Sequence, residues 1–255
     1  FFESPCMSPV LAAKFPNIKS YRGFTDDQSG DQARIDFSPG GFHAVIKTKE
    51  GVIYIDPYFT ESDGHYISYY VRDHIIDTEN FEKTCGIEHY VNSVSEPLEE
   101  DLSTTNKSSS LPVTKRTYRL ALACTAAWGS IFGSVESVMQ RFNTGVNRLN
   151  MIFENELAIK FEMIGNNDQL AFIDKANEPY TSPQLGRTCL AENQNIINSV
   201  VGENSYDIGH VFTISCTDGI AGVAYLGSLC NFNKGGGVSC VGFRNVSNFM
   251  VQTTA

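Results

Sequence analysis

The sequence has no concentrated basic face to offer a nucleic acid. Its 19 Lys and Arg stand against 29 Asp and Glu, giving a net charge of −10, and the bases do not cluster. It has no apolar run near the ~18–20 residues of a membrane span. The longest run, around Leu120–Ala123, has the length of a strand. Phe1-Phe2-Glu3 carries neither a basic segment nor an apolar one behind it, so no signal peptide is read there. Both ends read as cut, the last residues, Gln252-Thr253-Thr254-Ala255, coming directly after apolar Phe249, Met250 and Val251.

Several chemistries are missing as well. None of the seven cysteines forms a C-x-x-C pair, which excludes a zinc ribbon or a thioredoxin-type motif. No two of the five histidines (His43, His65, His74, His89, His210) lie three or four apart, so none makes a helical metal pair. There is no G-x-S-x-G elbow, no Walker loop and no G-x-G-x-x-G. Gly235-Gly236-Gly237 precedes a strand, and so lacks the helix N-terminus that would hold a phosphate. His210, on a predicted strand, reads as a buried structural histidine. On its residues alone the chain contains no complete active site and no metal site.

What the sequence does contain is a core. Hydrophobic residues make up 42% and charged residues 19%, a composition that buries a core and excludes wholesale disorder. Five cysteines (Cys124, Cys189, Cys216, Cys230, Cys240) crowd the second half. That density suits an exported, oxidising setting with disulfides in loops, and the odd total leaves one thiol free or paired outside the chain. The Asn-x-Ser sequons at Asn106 and Asn245 decide nothing.

Residues 1–94 read as a β-rich domain. Ser8 and Pro9 predict the N-cap and first position of a short helix. Strands are predicted at Ala33–Phe37, Phe42–Thr48, Val52–Tyr58 and Tyr66–Val71. Pro39-Gly40-Gly41 and Lys49-Glu50-Gly51 are the turns of a meander. Residues 95–116 read as a flexible linker, rich in acids, Ser and Thr. Lys115-Arg116 at its end is either a protease site or the opening of the next strand.

From residue 117 the pattern is α/β. Tyr118–Cys124 is a strand. Phe132, Val135, Met139, Phe142, Val146, Leu149 and Phe153 recur at steps of three and four, one face of a long helix. Ile159, Phe161 and Met163 alternate as a half-buried strand, with Asn166-Asn167-Asp168 as a turn. A second helix runs through Leu190 to Val201 and ends on Gly202. Further strands are predicted at Tyr206–Thr213, Gly219–Leu226 and Val238–Phe243.

The segment from Gly219 to Cys230 resembles the edge-strand region of reprolysin (adamalysin-type) metzincin peptidases. The glycine-rich turn ending Gly237-Val238-Ser239, and Phe249–Ala255, are similar to the family's next segments in the same order. Upstream, Arg119–Cys124, Asn147–Asn150 running into Ile159–Ile164, and Asp207–Phe212 resemble the family's earlier strands and first helix. Ser4–Met7 and His65–Tyr70 are similar to the propeptide of a bacterial secreted branch.

The resemblance implies a secreted or cell-surface zinc endopeptidase acting on peptide or protein substrates through a zinc-activated water. The fold it implies is a twisted, mostly parallel sheet with two long helices, preceded by the β-rich propeptide. Residues 117–255 would be the N-terminal half of the catalytic domain. The H-E-x-x-H-x-x-G-x-x-H zinc helix would come after Ala255, in the C-terminal part of the same domain. The chain by itself would then hold no zinc and no catalytic residue, and would be inactive alone.

The resemblance assigns two roles within the chain. Gly222, Val223 and Ala224 match the edge strand along which substrate lies extended; the plain alternative is a buried strand with a packing glycine. Lys83-Thr84-Cys85-Gly86 resembles the family's cysteine switch, in which the Cys85 thiolate would bind the zinc of the uncleaved protein; the alternative is a disulfide to Cys6. Cys230 matches a family cysteine whose partner lies beyond the zinc helix. The other function the residues allow is a non-catalytic surface-binding module that keeps the sheet.

Overall fold

A computed structural model describes residues 1–26, 29–58, 64–73, 114–214 and 216–241, together with the backbone of 84–85. The predicted linker, 95–116, lies outside the described residues up to 113, and its last residue, Arg116, already belongs to a strand. Lys83 and Gly86, His74 and His89, both sequons, and everything after 241 also lie outside the described residues.

Two six-stranded sheets share one long helix. The first sheet is an antiparallel meander of β1 (Phe2–Glu3), β2 (Lys19–Phe24), β3 (Gln32–Ser38), β4 (Gly41–Thr48), β5 (Gly51–Pro57) and β6 (Tyr66–Tyr70), in chain order. A short helix, α1 (Pro9–Lys14), starts as predicted, with the Ser8 hydroxyl accepting from the Leu11 amide. The second, central sheet has the order β7 (Thr84–Cys85), β11 (Ile220–Ala224), β12 (Gly237–Val241), β10 (Ile208–Ile214), β8 (Arg116–Cys124), β9 (Ile159–Met163). Strands β9, β8, β10 and β12 run parallel, and β11 turns back against β12.

The long helix α3 (Val135–Leu157) lies between the sheets. It comes after a one-turn helix, α2 (Ala126–Gly129). A further helix, α4 (Gly186–Val201), covers the far face of the central sheet. Alternate residues of β8 separate the two cores. Leu120, Leu122 and Cys124 pack with Met139, Phe142 and Val146 of α3, while Ala121 and Ala123 pack with Leu190 and Ile197 of α4. Parallel strands buried on both faces read as continuous apolar runs, which is why β8 was legible.

The first sheet is built the other way round. Its face toward α3 is polar. Arg34 donates to Asn147 Oδ1 at 3.1 Å and pairs with Glu154 at 2.7 Å. Asp36 accepts from Thr144 at 2.6 Å and from Asn147 at 3.2 Å. Asp56 holds Arg148 and, at 2.7 Å, His43. A smaller apolar contact of Val45, Tyr54 and Met151 completes this layer. Strand alternation then places Ile35, Phe37, Phe42, Ala44, Ile46, Ile53, Ile55 and Tyr66 on the outer face.

The N-terminal residues are not a body apart. The Ser8 amide donates to Met163 O at 2.9 Å, and the Met163 amide donates to Cys6 O at 2.8 Å. Residues 6–8 thereby extend the central sheet beyond β9. Leu11 and Ile18 join the same core as Leu122 and Phe142.

The expectation of disulfides in loops needs correction. Cys216, just after β10, is bonded to Cys240 inside β12, tying two neighbouring strands of the sheet. Cys6, Cys124 and Cys189 are buried free thiols, and burial pushes them up, Cys6 to about 11 and Cys189 to about 12. Thiols held protonated in this way are structural and unreactive.

Candidate functional site

The predicted substrate strand is β11, and local chemistry fixes where it starts. Gly219 takes φ +77°, a left-handed conformation that suits glycine, and so turns the chain into the strand. Beside it, the Asp218 carboxylate accepts from the Arg187 amide at 2.9 Å and so caps the N-terminus of α4. The Thr217 amide donates to Gln184 O at 2.9 Å. These bonds tie the start of β11 to α4, and Ile220 and Val223 pack into the core under that helix.

On one side β11 pairs with β12, Gly222 opposite Ser239, Val223 opposite Val238 and Ala224 opposite Gly237. The strand was expected to be an open edge on its other side. In the structure β7 lies there, parallel to β11, with Ile220 opposite Thr84 and Gly222 opposite Cys85. An extra residue in β11 shifts the register between these two pairs. A sheet edge has a single row of free N–H and C=O groups, so while β7 occupies Gly222 no second peptide can pair there.

Two residues singled out separately in the sequence, Gly222 and Cys85, thus face each other across one ladder. Val223 is 5% exposed and packs in the core, whereas Ala224 is exposed. Ala224 also lines a cavity of about 100 Å³ with His210, Leu149, Phe161 and Gly237. Cys6, the alternative partner of Cys85, is a free thiol 3.7 Å from Asn147 Oδ1 in the layer under α3.

His210 is the structural residue the sequence indicated. It is buried, shares a 2.8 Å hydrogen bond with Ser239, and burial pushes it down to about 3, so it stays neutral. Among the described residues no three His, Cys, Asp or Glu side chains converge on a point where a metal could sit. His43 is taken up by Asp56 and His210 by Ser239. These residues do not fit a zinc ion.

A larger opening went unread in the sequence. A cavity of about 700 Å³ lies at the C-terminal ends of β8 and β10, lined by Ala126, Ser130, Glu178, Tyr180 and Ile214 among others. Crevices at this end of parallel strands are where α/β sheets take ligands. The Glu178 carboxyl, raised by burial, is already engaged, accepting from the Ala126 amide at 2.7 Å and the Tyr180 amide at 3.2 Å. Its position depends on a long irregular loop, which carried no sequence signal.

Among curated proteins, no sequence matches the chain. Residues 114–255 match the family described as Metallo-peptidase family M12B Reprolysin-like. The match begins at the threshold of β8 and takes in α3, β9, α4 and the β10–β12 strands, the same elements that frame the candidate edge. With more than half of its residues inside that match, the chain belongs to the M12B reprolysin-like metallopeptidase family.

Proposed function

We propose that the chain is the propeptide and the first half of the catalytic domain of a zinc-dependent endopeptidase of a bacterial secreted branch. Its zinc ligands would lie on a helix encoded after Ala255. Family membership supports a peptide or protein substrate. The Cys216–Cys240 bond supports export to an oxidising compartment.

One observation carries the reading furthest: the pairing of Thr84–Cys85 with Ile220–Gly222. An extended segment from the upstream region lies along Ile220–Gly222, at the start of the strand Gly222, Val223 and Ala224 that substrate would follow. Main-chain bonds of this kind give a peptide affinity for a sheet edge. The upstream segment and substrate are then mutually exclusive, and the uncleaved protein is held inactive. In that uncleaved form Cys85 would be the inhibitory zinc ligand.

The full-length protein tests this. Cys85→Ala should raise the peptidase activity of the uncleaved form towards that of the cleaved form. Unchanged activity, or a Cys6–Cys85 disulfide found by mass mapping, would remove the switch. The sequence encoded beyond Ala255 tests the larger claim. An H-E-x-x-H there fits the peptidase, and its absence selects the non-catalytic surface-binding module.

A further inference from the structure

The edge of β9 that faces away from β8 has its main-chain groups filled from two sources. At Phe161 the Asn150 side chain of α3 serves both groups, accepting from the amide at 2.7 Å and donating to the carbonyl at 2.9 Å. At Met163 the partners are the Cys6 carbonyl and the Ser8 amide. Met163 is fully buried, so its amide and carbonyl would lose their partners if residues 6–8 were withdrawn, and buried main-chain groups are costly to leave bare.

The same segment fills the core beside that edge. Met7, Leu11 and Ile18 are buried in one cluster with Phe142, Phe161 and Met163. Gly165, in the turn after β9, is shaped to receive it. Its φ is not left-handed, so its backbone does not call for glycine. A Cβ there would stand 3.1 Å from Val10 Cβ and 3.5 Å from Ser8 Oγ, so the missing side chain is what admits the segment.

We propose that residues 6–18 are a lasting part of the catalytic half, and that they keep the first sheet bound after the chain is cut between the two regions. The binding site is the Met163–Gly165 end of β9. The partner it takes is this segment, an extended strand followed by a short helix, anchored by Met7, Leu11 and Ile18.

The rest of the first sheet would hold less firmly by itself. It meets α3 largely through pairs such as Arg34 with Glu154 and Asp56 with Arg148, which salt and water weaken. The burial of Met7, Leu11 and Ile18 is not screened by salt. Strand β7 is held more lightly again, by two residue pairs with β11. On the zymogen reading given above, a cut beside β7 would then free the β11 edge and leave the first sheet in place.

The experiment places a recognition sequence for a site-specific protease between residues 95 and 113 of the full-length protein, cuts it, and follows the two pieces by gel filtration. Its readout is association, so it succeeds or fails whether or not the protein is a peptidase. The pieces should elute together, at low salt and at about 1 M salt. Gly165→Val, which fills the space of Val10 and Ser8, should weaken their association at least about tenfold. If the Gly165→Val protein does not fold, Leu11→Ala, which removes an anchor from the segment itself, gives the same reading. Pieces that separate without any substitution overturn the proposal. So does a complex that falls apart in salt, since the polar layer would then be the holder, or one indifferent to a folded variant.

Discussion

Helix α3 meets a sheet on each side, and the two contacts are made of different material. Toward the central sheet it offers Met139, Phe142 and Val146, all fully buried among Leu122, Trp128 and Phe212. Toward the first sheet it offers Asn143, Thr144, Asn147 and Arg148, which meet Ser20, Asp36, Arg34 and Asp56. The first contact holds by removing apolar surface from water, a gain no solvent can replace. The second holds by hydrogen bonds and ion pairs that water can take over once the surfaces part. The two sides of one helix are thus held by different kinds of contact.

Damage to the apolar side should cost most. Phe142 is fully buried and forms a triangle of rings with Trp128, at 5.5 Å, and Phe212, at 5.6 Å. Phe142→Ala should lower the unfolding free energy by about 3–5 kcal/mol in a denaturant titration. A loss below about 1 kcal/mol would mean that this core is looser than the contacts indicate.

Acid should act on the polar side, with a smaller effect. Burial alone would raise the Asp56 carboxyl, but Arg148 and His43 outweigh it and hold it down to about 2. A carboxyl lowered from the usual 3.8 to about 2 contributes about 2 kcal/mol. That contribution is present above the ordinary carboxyl value and is lost as pH falls from about 4 towards 2. Asp36, raised by burial, has the opposite sign: its contribution is full at low pH and is lost as pH rises through its elevated value. Stability measured against pH should therefore fall below about pH 4 in the wild type. Asp56→Asn should make that fall smaller, the remainder belonging to Glu154 and Asp207, which are also lowered.

The smallest effect belongs to the rim. Lys47 and Glu156 are 2.9 Å apart, with side chains 46% and 61% exposed. Lys47→Ala should change stability by less than about 1 kcal/mol, and salt should erase even that. A larger loss would place this pair inside the layer and not at its border.

The same contrast explains what the sequence disclosed. Helix α3 was legible because its buried stripe repeats at steps of three and four. The central strands were legible because strands buried on both faces are apolar runs. Strand β2 was not, because its inward residues, Ser20 and Arg22, are polar, which inverts the usual alternation. Strand β1, two residues long, has no pattern to detect. At the candidate site, the glycines of β11 and the Cys85 run could each be read locally. Their pairing could not, because a parallel bridge between distant segments leaves no periodicity in either. Nor could the Cys216–Cys240 bond, since spacing alone does not fix a disulfide partner.

The bridge from Cys6–Ser8 to Met163 also bears on how quickly the molecule can form. A chain must close a long loop before such a contact repays it, and the Cys6–Asn147 contact beside it already spans 141 residues. Topologies dominated by such distant pairings fold slowly. During synthesis residues 6–8 must wait for β8, α3 and β9 before their partner exists. The edge of β9 is likewise open to a neighbouring chain until residues 6–8 arrive, so the rate of that docking sets how long the sheet is exposed to mispairing.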